Sequence, residues 1–169
     1  MKFSICANPS IALFMLIAFV LAPASFYAAP LPQSAPKISV NGSFAAGKIQ
    51  RGRTVQASVV MDVPSGYHIN SNHPLEKFLI PTQLTVEAPK GIRLGPVIYP
   101  RAVLRSFKFS KNKVSVYEGR ATMRFNVTVP RSFATGSTEV KVRVRYQSCN
   151  DEVCFPPQTR DVSLWVNVE

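Results

Sequence analysis

Two cysteines with four residues between them, in the stretch YQSCNDEVCFPP at 146–157, are the residues of this sequence whose type and spacing can do chemistry by themselves. Thiols placed like Cys149 and Cys154 can form a structural staple, supply half of a metal site, or exchange electrons. A staple closing six residues removes little unfolded-state entropy, about 2 kcal/mol in the chain-entropy model. A metal site needs more ligands. The histidines are His68 and His73, also with four residues between them in YHINSNHP, and with the cysteines they would complete a tetrahedral set. His68 falls between Tyr67 and Ile69 in a strand-like stretch, and His73 precedes Pro74 in a turn; such histidines commonly serve packing or the surface. No metal and no other cofactor is expected. Exchange fits a short local disulfide on a loop, exposed and easily opened. The motif is not a C-x-x-C at a helix start, so no helix dipole lowers a thiol pKa. Asp151 and Glu152 would raise it, which suits a pair that is attacked by a more reactive partner thiol.

The elements that must hold this pair are strands. Val55, Ala57, Val59, Met61 and Val63 alternate with mostly polar residues. So do Ala121, Met123, Phe125, Val127 and Val129. Val140, Val142, Val144 and Tyr146 alternate with charged residues, and Val162, Leu164, Val166 and Val168 repeat the pattern. Each reads as a half-buried strand with one face in a core. Shorter strands are expected at 37–43, 67–70, 82–87 and 92–99, with turns at 64–66, 89–91 and 134–136. No stretch after residue 24 has a long helical period. Seven to nine short strands predict an all-β, immunoglobulin-like antiparallel β-sandwich over 37–169, with a closed barrel as the second choice. The Asn150-Asp151 pair forms a turn and Pro156-Pro157 interrupts pairing, so the cysteines sit at the two ends of a tight loop between strands.

The chain has 169 residues and a formal charge of +11. The cations are dispersed: Lys48, Arg51 and Arg53, then Lys108, Lys111 and Lys113, then Lys141, Arg143 and Arg145. They read as solvated strand faces, and no nucleic acid is expected as a partner. Residues 11–21 are an unbroken apolar run of 11, short of the about 20 that span a bilayer. Ala22 and Ala24 follow as small residues suited to cleavage. Residues 1–24 therefore read as a signal peptide that carries Cys6 away, and 25–36 as a flexible Ala- and Pro-rich lead. Removal of 24 from 169 leaves 145 residues, enough for one domain with a core. Export implies an oxidising compartment where a disulfide can form, and no stable membrane insertion after cleavage.

YQSCNDEVCFPP resembles the cysteine loop of the N-terminal periplasmic domain of DsbD, the thiol:disulfide interchange protein, and of single-domain relatives described as disulfide bond corrector proteins. GYHINSNHP at 66–74, LIPTQLTVEAP at 79–89, YP at 99–100 and VYEG at 116–119 agree in order. The resemblance covers most of 37–169. It implies an immunoglobulin-like fold in the periplasm. It also implies a cysteine pair that takes electrons from a thioredoxin-like reductant domain and passes them to oxidised periplasmic client proteins. Cys154 corresponds to the cysteine that forms mixed disulfides, and Cys149 to the one that resolves them. An aromatic cap shields the pair in that family; here SFKFSKNK at 106–113 offers Phe107 or Phe109, with Tyr117 and Tyr146 as further neighbours of the loop. Residues flanking the cap are basic here and acidic in the family. The cysteines are separated by four residues where DsbD itself has five; shorter relatives share the four. The sequence ends at Glu169 without the membrane-spanning and thioredoxin-like parts of DsbD, so reductant is expected from another polypeptide.

Intact-mass measurement on protein recovered from the exported fraction should give a chain starting near Ser25. A mass that includes residues 1–24 contradicts the signal-peptide reading.

Overall fold

The computed structural model describes residues 34–169. The expected signal peptide, Cys6 and positions 25–33 of the lead lie outside the described residues. Among the described residues every regular element is a strand: β1 (Ser39–Phe44), β2 (Lys48–Ile49), β3 (Thr54–Asp62), β4 (His68–Asn70), β5 (Gln83–Glu87), β6 (Arg93–Leu94), β7 (Val103–Arg105), β8 (Val114–Tyr117), β9 (Arg120–Thr128), β10 (Gly136–Tyr146), β11 (Ser148–Cys149) and β12 (Gln158–Val168). None of them is a helix long and apolar enough to cross a membrane.

Three four-stranded sheets result, in the orders β1-β3-β9-β6, β2-β12-β10-β5 and β11-β4-β8-β7. All pairings are antiparallel except the short β2–β12 contact, which is parallel. This is the expected all-β, immunoglobulin-like sandwich. The alternation places it. Ala57, Val59 and Met61 of β3 and Ala121, Met123, Phe125 and Val127 of β9 turn one buried face toward Val140, Val142, Val144 and Tyr146 of β10 and Leu164 of β12. Val166 and Val168 close a second cluster with Ile49 and Val129. Apolar residues at every second position leave a strand no other way to hide them.

The sheets approach closely at Gly42. A Cβ there would lie 3.1 Å from Val162 Cγ1 and 3.2 Å from Leu164 Cδ1, so only glycine lets β1 rest against β12 without displacing those side chains. The outer faces carry the dispersed cations. Lys141, Arg143 and Arg145 are exposed, and Arg143 makes a two-pronged contact with Asp161 directly across the ladder.

Several boundaries differ from the sequence expectation. The first strand runs Ser39–Phe44 and the third expected short strand begins at Gln83. The stretch expected as a strand over 92–99 pairs only at Arg93–Leu94, with an isolated bridge from Ile98 to Arg124. Pro96 interrupts it, having no N–H to give to a ladder. β8 carries no alternation because all four of its residues are buried. A strand covered on both faces shows no period-two signal.

The core described above does not involve the cysteine bridge. Because Cys149 is buried, alanine is a gentler replacement than serine. Changing Cys149 and Cys154 together to alanine should cost about 2 kcal/mol and leave unfolding cooperative in urea. Loss of the cooperative transition would show that the bridge holds the fold.

Candidate functional site

The cysteines owe their position to a change of sheet. β10 runs in its ladder as far as Tyr146, which pairs with Gln158. One residue later the chain is in another sheet, where Ser148 and Cys149 pair with Ile69 and His68 of β4. Gln147 sits at the step, and its side chain fixes it. Its Oε1 accepts from Asn70 Nδ2 at 3.1 Å and from the Ile80 backbone N–H at 3.0 Å, while its Nε2 donates to the Phe155 carbonyl at 3.1 Å. Asn70 Nδ2 also donates to the Ile80 carbonyl, and Thr82 Oγ1 donates to the Asn70 carbonyl at 2.6 Å. One amide thus ties both ends of the cysteine loop to β4 and to the segment before β5.

The loop itself is locally encoded. Asn150 Oδ1 accepts from the backbone N–H groups of Glu152 and Val153, at 2.9 and 2.8 Å. This is an Asx turn, the reason asparagine suits such a position. Asn150 and Val153 close the turn through the backbone, and Phe155 N–H returns to the Ser148 carbonyl at 2.9 Å. Cys149 and Cys154 face each other as an isolated antiparallel bridge and are joined by a disulfide, with Cα atoms 4.0 Å apart. The two halves differ in exposure. Cys149 is fully buried, and Cys154 is partly open to solvent.

Phe107 and Phe109 cover this end of the molecule. Both are half-buried and pack with Cys154 against Leu79, Val114 and Val116. Their rings are parallel, 5.3 Å apart, and Phe107 stacks on the His68 imidazole at 3.9 Å between centroids. Lys108 fastens the segment to the cysteine loop: its backbone N–H donates to the Asp151 carbonyl at 3.1 Å and its Nζ meets Glu152 at 2.9 Å. The basic substitution noted in the sequence therefore faces an acidic residue of the cysteine loop. This exposed ion pair is weak and screened by salt. The two tyrosines named as neighbours of the loop belong to the main core. Tyr146 is fully buried and donates to Gln158 Oε1, and Tyr117 is buried with its hydroxyl held to Asn72.

His68 was read from sequence as packing or a metal ligand, and its place beside the cysteines is new. It is 2% exposed, lies directly opposite Cys149, and lines a groove with Phe107, Glu118 and Asp151. Burial pushes its pKa down to about 4, against the opposing pull of the Glu118 and Asp151 carboxylates. It is neutral at neutral pH. Glu118 in turn is held below the usual carboxylate range by Arg105, which grips it with two nitrogens. His73 is exposed and bound to Asn72. Among the described residues no group of three or more His, Cys, Asp or Glu side chains is gathered so that it could hold a metal. Gln147 was also missed. Its signal was present in the YQSC motif, but a lone glutamine after a strand reads as solvated surface.

A family model described as thiol:disulfide interchange protein DsbD, N-terminal, matches residues 39–165. Comparison with curated proteins finds no match. Solved structures with a similar chain path include the N-terminal domain of Neisseria meningitidis DsbD in its reduced form, at 18% identity over 76% of this chain and 85% of that one, with a TM-score of 0.47. The N-terminal periplasmic domain of Proteus mirabilis ScsB is similar at 9% identity over 77% of this chain, with a TM-score of 0.48; the match covers 45% of that chain. A cohesin–dockerin complex from Clostridium thermocellum is matched at 10% identity, over 78% of this chain and 99% of that one, with a TM-score of 0.46.

The buried imidazole makes stability depend on pH. Its pKa of about 4 in the fold lies below the ordinary 6.5, so the unfolded chain binds the extra proton between those values. Stability is therefore complete above pH 6.5 and falls as the pH drops toward 4. Unfolding midpoints in urea should show wild type losing more stability than His68→Phe over that interval, with an excess of up to about 3 kcal/mol. Parallel pH profiles would show that His68 does not titrate this way.

Proposed function

The chain belongs to the family of the N-terminal domain of the thiol:disulfide interchange protein DsbD, and on that premise we propose that it relays electrons in the periplasm through Cys149 and Cys154. Thiol–disulfide interchange is the chemistry of the family, and the chain carries the bonded pair that this chemistry needs. The proposal adds the route: from a thioredoxin-like donor, through this pair, to oxidised exported proteins. One observation carries it. A single disulfide has one buried sulfur-bearing residue and one that is partly exposed beneath two phenylalanines.

That asymmetry supports a division of roles between the two cysteines. A donor thiolate attacks Sγ of Cys154, the more accessible residue. The Cys149–Cys154 bond breaks, and its electron pair leaves on the Cys149 sulfur. The donor's second sulfur, as a thiolate, then displaces Cys154, so the donor leaves as a disulfide and the pair holds two electrons. Toward a client the steps reverse. The Cys154 thiolate attacks the client disulfide, forming a mixed disulfide and releasing one client sulfur as a thiolate. Cys149 then attacks Cys154, closes the bridge and expels the second client sulfur. Exchange of this kind requires a thiolate and an accessible sulfur at each step. Phe107 and Phe109 shield Cys154 between encounters, and the Lys108 contacts hold that shield to the cysteine loop.

Removing the resolver should trap the intermediate. Cys149→Ser should accumulate a mixed disulfide with a thioredoxin-like reductant on non-reducing gels, and Cys154→Ser should not. A reversed pattern would exchange the two roles. Absence of any adduct with either variant, both shown to be folded, would point to a structural bridge in a binding or adaptor module.

A further inference from the structure

We propose that His68 is the hydrogen-bond donor that receives the Cys149 sulfur when the bridge opens and holds it as a thiolate for the closing step. The use of this donor rests on the exchange reading above; its geometry does not.

His68 on β4 is the direct partner of Cys149 on β11, and Cys149 is the direct partner of Cys154. Residues opposite each other in antiparallel pairs send their side chains to the same face, with Cβ atoms about 5 Å apart. His68, Cys149 and Cys154 thus stand in one row across three adjacent segments. The imidazole is fixed in that row by Phe107, whose ring lies 3.9 Å away and 15° from parallel, with Phe109 stacked beyond at 6.1 Å.

The second point is an unmet bonding need. His68 Nε2 is buried and has no hydrogen-bond partner among the described residues. Buried polar atoms are rarely left so, and those that are call for an explanation. Sulfur in a disulfide is a poor acceptor. A thiolate is a charged one, and hydrogen bonds to ionised groups are the strong kind. Opening the bridge creates such an acceptor on the residue directly across the ladder from His68.

The third point is the cost on the sulfur's side. Cys149 is fully buried, and a thiolate released there without a donor would be strongly disfavoured. The charges nearby do not supply the donor. Glu118, adjoining β8, is held by Arg105, and Lys108 of the cap is paired with Glu152. Asp151 of the cysteine loop adds a further negative charge, and Tyr117 of β8 donates to Asn72. A ring kept neutral by burial can give its N–H to the thiolate without carrying a charge of its own.

No proton is transferred in the scheme. The bridging electron pair departs with the Cys149 sulfur, which accepts the His68 N–H. In the closing step the same thiolate attacks Cys154 Sγ, the bridge re-forms, and the partner sulfur leaves with the electron pair.

The test is the ionisation of Cys149, measured without any partner. In Cys6→Ser, Cys154→Ser protein the ultraviolet absorbance of the thiolate is followed against pH. His68→Phe, which keeps the stack and removes the donor, should raise the Cys149 pKa by about one unit, about tenfold less thiolate at a given pH. His68→Gln, which keeps an N–H donor without titrating, should recover most of that shift. An unmoved pKa in His68→Phe, or a rise in His68→Gln as large as in His68→Phe, overturns the proposal. A second measurement needs no substitution. The His68 ring N–H resonance should move downfield when the bridge of wild-type protein is reduced at a pH where Cys149 is ionised, and a stationary resonance overturns the proposal. The relay and the donor fail separately. Lost trapping with a shifted pKa removes the relay and leaves the donor, whereas normal trapping with an unmoved pKa removes the donor alone.

Discussion

The amide of Gln147 is the contact on which the rest of this end of the molecule depends. β10 belongs to one sheet and β11 to another, with a single residue between them. A chain that changes sheets so abruptly strands backbone and side-chain polar groups near the core, and each needs a partner. Gln147 answers with three hydrogen bonds to Asn70, Ile80 and Phe155. Once the step is fixed, Cys149 falls next to His68. The return of the chain through the Asn150 turn then brings Cys154 back opposite Cys149. The disulfide joins two residues that the backbone has already set opposite each other.

Around the pair the charges are arranged in opposition. Asp151 and Glu152 lie in the loop between the two sulfurs and disfavour a thiolate. Lys108 reaches across from the cap and neutralises Glu152, and Arg105 does the same for Glu118. His68 stays neutral because burial outweighs the two carboxylates that favour its charged form.

The long ladders and the cysteine segment are built differently. The sandwich between the β3–β9 and β10–β12 pairs holds long, regular ladders closed by interdigitating aliphatic side chains. The cysteine end has short strands, a turn made by one asparagine, and a cap fastened by one backbone hydrogen bond and one exposed ion pair.

Most of the sandwich could be read from the residues alone. The strands at 54–62, 120–128, 136–146 and 158–168 announce themselves because a half-buried strand alternates, and polarity is a property each residue carries into any context. The cysteine loop was legible for the same reason: asparagine, aspartate and two prolines dictate a turn locally. β8 was not legible, since a strand buried on both faces loses its alternation, and 92–99 was over-read because Pro96 breaks a pattern that hydrophobicity alone continues. The resemblance already offered Phe107 and Phe109 as neighbours of the disulfide, and they do pack with Cys154. The other neighbours were decided only by tertiary structure: Lys108 meets the loop, His68 meets Cys149, and Gln147 meets Asn70 and Ile80 through pairings between segments remote in sequence. Nothing in a histidine between two hydrophobic residues states what will lie across the ladder from it. Residue types alone determine where the two sulfurs lie, because that is a local turn. The fold decided what would surround them, because register between distant strands is set by the packing of the whole core.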